Sequence, residues 1–412
     1  MKDCVVIGAG PAGLATSAAL TARGVDHVVL ERGRAGHTWR TQRWDGLRLN
    51  NPGWMNPMLG EQPPHSYLTA AEVVERLERL AARTPLREHT AVTALSRRNS
   101  GWVLHTSDGP VPARTVVVAT GGENVPRIPA QARQLPARIT QLHSADYRRP
   151  DELPPGPVLV VGSAQSGYQI AEELLDAGRQ VVVATSRVGR APARHRGRDT
   201  LELLVEAGFF DQSPDDLPDP SVVHAPQPLL APGGRSASLQ TLARAGATLV
   251  GHLVAVDGRK LRFDDSAAAN IAAADAFAAR IRALLDGPAP AGRPTSAVEP
   301  DPADLPVAVD PPAALDVGGI DSVIWCTGYS GDFSWLDSAL RDDGGRPRRR
   351  GAAAPLPGVW YVGLRWLTRR RSGNFFGFPV DAATVADGVV ADLGSADWRG
   401  IGAGLQTAPA RW

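Results

Sequence analysis

Short, unbroken apolar runs recur along the chain: CVVI at residues 4–7, HVVL at 27–30, VVVA at 116–119, VLVV at 158–161, VVVA at 181–184, VIWC at 323–326 and WYV at 360–362. Runs with no polar alternation predict parallel strands covered on both faces. Further strands are expected around Val92 and over 102–105. Helical spacing appears between them. Val73, Val74, Leu77 and Leu80 predict a helix over 70–82. Ile271, Ala274, Phe277, Ile281 and Leu284 predict an amphipathic helix over 267–285, and 382–393 reads as a closing helix. Residues 32–64 are rich in Gly, Asn, Pro and Trp with no clear period, which predicts a long loop region lining a site. Residues 150–157 read as a linker, the Pro-rich stretch 287–313 as an extended surface connection, and the Gly-rich tail after Ser395 as frayed.

One order of elements occurs twice. A strand, a glycine turn, a helix and a second strand run over residues 4–31 (CVVIGAGPAGLATSAAL, then HVVLE) and again over 158–185 (VLVVGSAQSGYQIAEEL, then QVVVAT). Such a unit binds phosphate because the helix N-terminus presents unpaired backbone N–H groups and partial positive charge. In the first copy Gly8, Gly10 and Gly13 permit the turn, the approach of a pyrophosphate and the packing of helix on strand, with Pro11 and Ala12 opening the helix. Glu31 ends the second strand, with Arg32 beside it, where a carboxylate suits two free ribose hydroxyls. In the second copy Gly162 and Gly167 hold the positions of Gly8 and Gly13, and Ala164 holds that of Gly10, within the turn Gly162-Ser163-Ala164-Gln165-Ser166-Gly167. The offset that leads from Gly8 to Glu31 leads from Gly162 to Thr185, followed by Ser186 and Arg187, with Arg190, Arg194, Arg196 and Arg198 close behind. A hydroxyl and guanidinium suit a 2′-phosphate that a carboxylate would repel. The expectation is FAD at the first turn and NADPH at the second, with the Ala164 methyl setting an exchanging nucleotide slightly farther out.

Composition narrows the classes. A chain of 412 residues with 43% hydrophobic and 21% charged residues has room for two domains, and a formal net charge of +1 argues against nucleic acid as a partner. The basic residues are almost all Arg, which by itself marks no site. Cys4 and Cys326 lie in separate apolar runs, so no disulfide scaffold, zinc site or dithiol pair is expected, and no metal spacing is present. No apolar run is long enough to span a membrane, and the expected location is cytoplasmic.

The pair GAGPAGL and GSAQSG, together with ERGRAGHTW (31–39) and VVVATGG (116–122), resembles the class B flavoprotein monooxygenases. RWDGLRLNNPGWMN (43–56), QLHSADYRRP (141–150), RHRGRD (194–199) and DSVIWCTGYSGDFSWL (321–336) resemble a bacterial branch of that group. The resemblance implies an α/β fold of two dinucleotide-binding Rossmann-like domains, the NADPH domain inserted into a discontinuous FAD domain: 1–153 and 317–412 for FAD, 154–316 for NADPH. It implies reduction of FAD by NADPH, capture of O2 as a C4a-(hydro)peroxyflavin and transfer of one oxygen atom to a small organic substrate.

By the same resemblance Trp39 and Arg40 pack near the flavin diphosphate and ring, and Asn50 lies beside C4a as the catalytic amide, with Asn51 as the fallback. Thr120-Gly121 and Thr327-Gly328 form two ATG-like turns. Asp381 sits near the flavin ribityl chain or ring, or is a plain helix N-cap. Trp54, Trp366, Phe375 and Phe376 wall a substrate pocket. In the signature F-x-G-x-x-x-H-x-x-x-(W/Y), His143 and Tyr147 are kept while Ala137 and Ile139 replace Phe and Gly. That favours N- or S-oxygenation or oxidative decarboxylation over ketone insertion, and makes His143 a hydrogen-bonding residue at a domain interface. Two other readings stay open: an NADPH-dependent flavin reductase or oxidase, and a redox sensor that binds both cofactors without turnover.

Overall fold

Strands that are apolar on both faces must lie inside a layered α/β unit, and the chain builds two. The computed structural model describes residues 1–98, 101–287 and 297–395; the tail expected to fray and part of the Pro-rich connection lie outside them. Packing divides the chain into one unit formed by the described residues of 1–37, 75–124 and 331–412, and another formed by those of 38–74 and 125–330.

In the first unit, strand Lys2–Ile7 is central, with His27–Leu30 and Gly109–Val118 parallel on either side; Leu86–Arg87 and Val359–Tyr361 extend the parallel part. Gly101–Thr106 and Val92–Arg98 add antiparallel strands beyond Gly109–Val118. Cys4, Val5, Val6, Val116 and Val117 are fully buried. Helix Pro11–Ala22 packs against the closing helix Phe378–Gly394, which begins one turn earlier than the apolar spacing indicates.

The second unit is a five-stranded, all-parallel sheet in the order Thr248–Val250, Val181–Ala184, Val158–Val161, Ser322–Trp325, Thr140–His143. Two of these strands come from segments that the sequence divides off at 153 and 316: Thr140–His143 and Ser322–Trp325 each pair into this sheet. The edge strand Thr248–Val250 is only three residues long, too short to stand out as an apolar run. The loop region after residue 37 holds three short helical turns, His37–Thr41, Gly53–Met55 and Pro57–Leu59. Its residues Trp44, Leu47 and Ala70 share a core with Tyr147, Tyr168, Ile170 and Leu174. Helix Ala267–Leu285 has the bounds its spacing predicts.

Arg190 follows the second strand of this unit and is 1% exposed. Its Nε donates to Asp275 on helix Ala267–Leu285 at 2.8 Å, and its guanidinium also donates to Asp304. Burial pushes the Asp304 carboxyl up, but Arg190 and Arg282 outweigh it and hold the group below the usual carboxylate range. The guanidinium is buried while its two carboxylate partners are 38–40% exposed, so its removal costs its packing and hydrogen bonds as well as the ion pairs. Arg190→Ala is expected to lose roughly 3 kcal/mol or more in urea unfolding; a loss no larger than that of a surface substitution would show that the helix is held without it.

Candidate functional sites

The first turn follows from three strand ends meeting one helix N-terminus. Gly8 has φ +104, and a Cβ there would lie 2.8 Å from the Ala119 carbonyl oxygen on the neighbouring strand. A Cβ on Gly13 would lie 1.9 Å from Gly8 O, so only glycine lets the helix approach. Gly10 is different: it caps helix Pro11–Ala22 without a side-chain bond, and a Cβ there would meet nothing within 4 Å. The space before the helix N-terminus is open, as a pyrophosphate requires. From the third strand end, Gly363 faces Ala12, where a Cβ would come within 2.8 Å of the Ala12 methyl. Gly363 is a position that sequence reasoning missed; its signal was a glycine closing the apolar run WYV.

Glu31 is 6% exposed and holds the turn. Its carboxylate accepts from Ala9 N at 2.8 Å and Gly33 N at 2.9 Å, one bond per oxygen. Each oxygen keeps acceptor capacity for a ribose hydroxyl. Arg32 beside it is exposed. At the next turn, Gly121 has φ +75, and the buried Thr120 Oγ1 has no hydrogen-bond partner.

Asp381 is 2% exposed. It does not cap its helix: Gly377 does, and Asp381 lies in the first turn. Oδ1 accepts from Thr368 Oγ1 at 2.6 Å and Ser372 Oγ at 3.1 Å, while Oδ2 is buried without a partner. Burial raises its carboxyl above the ordinary value, opposed by Thr368, Ser372 and the charges of Arg371 and Arg349. The preceding loop carries three expected pocket aromatics. Trp366 is buried with φ +51 under the Arg370 guanidinium at 4.6 Å, Arg371 lies 5.4 Å over Phe376, and Phe375 meets Phe378 edge to face.

The second turn repeats the first atom for atom in its tightest contacts. Gly162 has φ +101, and its Cβ would lie 2.5 Å from Cys326 O; a Cβ on Gly167 would lie 1.9 Å from Gly162 O. Cys326 therefore occupies the place of Ala119. Ala164 caps helix Gln165–Asp176 without a side-chain bond, and its methyl packs partly on the unit's core. Gln165 is engaged elsewhere: Nε2 donates to Leu230 O at 2.7 Å and Oε1 accepts from Leu230 N at 3.2 Å. Ser166 lies half-buried in the first turn of the helix.

The counterpart of Glu31 is displaced by one residue. Thr185, at the equivalent offset, is fully buried and donates to Val250 O at 2.8 Å. Ser186 takes over the contact to the turn: its Oγ accepts from Ser163 N at 3.3 Å, while its N donates to Ser163 Oγ at 2.9 Å. Arg187 beside it is exposed and has no ion-pair partner among the described residues. The arginines behind it are committed: Arg190 as above, Arg194 beside Glu299 at 3.7 Å, Arg196 to Asp286 and Arg198 to Glu206.

Thr327 donates to Arg127 O, and Gly328 O accepts from His143 Nε2 at 3.0 Å. His143 Nδ1 accepts from Ala145 N at 3.1 Å, so the proton sits on Nε2, and burial holds the ring below its ordinary pKa. Both of its partners lie in its own unit, and it is a neutral brace. A cavity lined by Pro157, Gln180, Val182 and Thr248 opens at the opposite ends of these strands and is no part of the turn.

In the loop region, Arg43 stacks 5.2 Å over Trp39, and Arg40 follows on the same short helix. Asn51 Nδ2 donates to the fully buried Asn56, which donates to Pro52 O at 3.1 Å. Asn51 is thus the loop brace. Asn50 is half-buried, and its side chain has no hydrogen-bond partner among the described residues. Trp54 sits in the turn Gly53–Met55. Among the described residues no group of His, Cys, Asp and Glu is arranged to hold a metal, and no helix is long and apolar enough to cross a membrane.

Residues 5–201, spanning both turns, match a model of the pyridine nucleotide-disulphide oxidoreductase family. A CzcO-like oxidoreductase of Geobacillus kaustophilus is 27% identical over 92% of this chain and 96% of its own length. The indole-3-pyruvate monooxygenase YUCCA1 of Oryza sativa subsp. japonica is 32% identical over 50% of this chain and about half (53%) of its own length. A flavin-containing monooxygenase from Stenotrophomonas maltophilia shares the fold, with a TM-score of 0.65 at 20% identity over 95% of this chain and 98% of that one. The family name invites a dithiol relay, but the two cysteines are buried in different units. The chain shares the fold of these flavoproteins and is similar in sequence to the oxidoreductase and monooxygenase named above.

Proposed function

We propose that the first turn holds FAD, that the second holds NADPH, and that the protein transfers one oxygen atom from O2 to a small organic substrate. The observation that carries this reading is the contrast at the ends of the two second strands: Glu31 at one turn, Ser186 and the uncommitted Arg187 at the other. A carboxylate selects a free ribose, and a hydroxyl with a guanidinium selects a 2′-phosphate. Three features of the first unit fit FAD: the open space before Gly10, the unpartnered Asp381 Oδ2 and the unpartnered Thr120 Oγ1.

When bound, FAD reduced by NADPH supplies the activation of O2 at its C4a position. The chain's own residues do the rest. Gly8, Gly10 and Gly13, with the N–H groups opening at Pro11 and Ala12, would receive the flavin pyrophosphate, and Glu31 the ribose; Arg32 and Gly121 border the same turn. Thr120 and Asp381 would bond flavin or ribityl oxygens. Gly162, Ser163, Ala164, Ser166 and Gly167 would line the nicotinamide pyrophosphate. Ser186 and Arg187 would meet the 2′-phosphate, and Arg194 is taken by Glu299. Trp39 and Arg40 are assigned to the flavin, and Thr327 and Gly328 to the passage between cofactors. Asn50 offers an amide to the reacting centre, with Asn51 fixing the loop. Trp54, Trp366, Phe375 and Phe376 are assigned to the substrate. N- or S-oxygenation or oxidative decarboxylation is favoured, the last by the 2-oxo acid in the name of the Oryza sativa relative.

Mixing the NADPH-reduced protein with oxygenated buffer is the deciding experiment. An absorbance band to the violet side of oxidised flavin, formed before reoxidation and shortened by substrate, is expected. Immediate reoxidation with stoichiometric peroxide, unchanged by NADP or substrate, would make the protein a reductase or oxidase. Arg187→Ala should raise the KM for NADPH by roughly 10- to 100-fold, the worth of a charged hydrogen bond, and leave that for NADH unchanged; equal losses would refute the 2′-phosphate contact. Gly10→Ala should keep the melting temperature of the apoprotein yet weaken FAD by roughly tenfold or more, since a methyl would crowd the ligand and nothing else. Unchanged FAD affinity would place the flavin elsewhere.

A further inference from the structure

Helix Gln165–Asp176 starts at the second turn, and its flank carries Gln165, Gln169 and Glu173 at four-residue spacing. The first of these clasps Leu230; the other two face the segment that leads to Asn50. Gln169 Nε2 donates to Arg48 O at 3.2 Å. Glu173 presses against the backbone of Gly46, where a Cβ would lie 2.3 Å from its Oε1. Tyr147, fully buried, donates from its hydroxyl to Glu173 Oε2 at 3.2 Å. The adjacent Arg148 holds the same segment from its other side: Nη1 donates to Arg43 O at 3.1 Å, Nη2 donates to Thr41 O, and the Arg148 carbonyl accepts from Asp45 N at 3.0 Å. Trp44 and Leu47 are sunk in the core beneath. Residues 41–48 thus form a strap fastened to the helix that starts at the second turn, and Asn50 follows two residues later.

We infer that Gln169, Glu173 and Tyr147 are positioning residues: they fix the strap, and through it Asn50, to the helix of the second dinucleotide turn. The inference rests on the role proposed for Asn50. It predicts that the strap responds to pH. Burial pushes the Glu173 carboxyl from 4.5 up to about 7; the Tyr147 hydrogen bond opposes this, and Asp45 on the strap and Asp176 on the helix reinforce it. Burial and Glu173 in turn hold the Tyr147 hydroxyl above its ordinary range, with Arg179 opposing and Asp151 adding. Glu172, the neighbour on the helix, is paired with Arg235. A carboxyl raised in the folded state stabilises fully below its ordinary value, and that stabilisation is lost as pH rises through about 7. The strap is therefore firm in mild acid and loosens above neutrality.

Amide hydrogen exchange of the full-length holoprotein at pH 6 and pH 8, corrected for the intrinsic rate, tests this without reference to turnover. Protection of residues 45–49 should fall by about tenfold in the wild type, as one pH unit beyond a pKa implies. Glu173→Gln, a fixed neutral form, should keep the pH 6 protection at both values, and Tyr147→Phe should lower protection at pH 6. Equal loss in the wild type and in Glu173→Gln, or no loss in either, overturns the inference. The pH profile of flavin reduction by NADPH should inflect near 7 in the wild type and flatten in Glu173→Gln. The effect of Asn50→Ala on turnover is separate. If it has none while the exchange result stands, the role of Asn50 fails and the clasp does not.

Discussion

Everything in this molecule depends on how closely a helix can approach the strand that precedes it. In both units the distance is set by a carbonyl oxygen that would lie 1.9 Å from any Cβ on the facing helix residue, Gly13 or Gly167. That contact brings the first helical turn over the sheet edge and leaves its N–H groups aimed at solvent rather than at side chains. The neighbouring strand then closes the site from the side, its carbonyl at Ala119 or Cys326 excluding a Cβ on the turn glycine. Both turns have to satisfy the same two contacts, which is why they agree so closely while the segments around them do not.

Given equal turns, the difference between them lies at the end of the second strand. At the first turn a buried carboxylate ties two backbone amides and brings negative charge to that strand end. At the second, paired serines tie the turn with no charge, and the single uncommitted guanidinium among the nearby described residues stands at the surface. The remaining arginines of that stretch serve the fold. Arg190 anchors the long helix from within, where one residue organises two carboxylates from different segments.

The elements that depend on local pattern were legible in the sequence. The apolar runs became strands, the Ile271–Leu284 spacing gave the helix bounds, and the glycines marked both turns. Contacts between residues far apart in sequence were not legible. The offset from Gly162 points to Thr185, but only the fold reveals that Thr185 turns inward to Val250 and that Ser186 does the work of Glu31. Nothing local announces that the aperiodic loop after residue 37 belongs to the second core, or that Asp381 is one turn inside its helix rather than at its cap. Asn50 and Asn51 are indistinguishable as neighbours in sequence; Asn56, fully buried, separates them by claiming one as its partner.

The two cysteines have a further consequence. Cys4 lies at the centre of the first sheet and Cys326 under the second turn, both buried, and burial pushes the Cys4 thiol up to about 12 and the Cys326 thiol higher still. Peroxide oxidises the thiolate, and burial keeps both side chains in the neutral thiol form. Under the proposed chemistry the protein would work beside its own source of oxidant, and both of its thiols lie where that oxidant has little to attack.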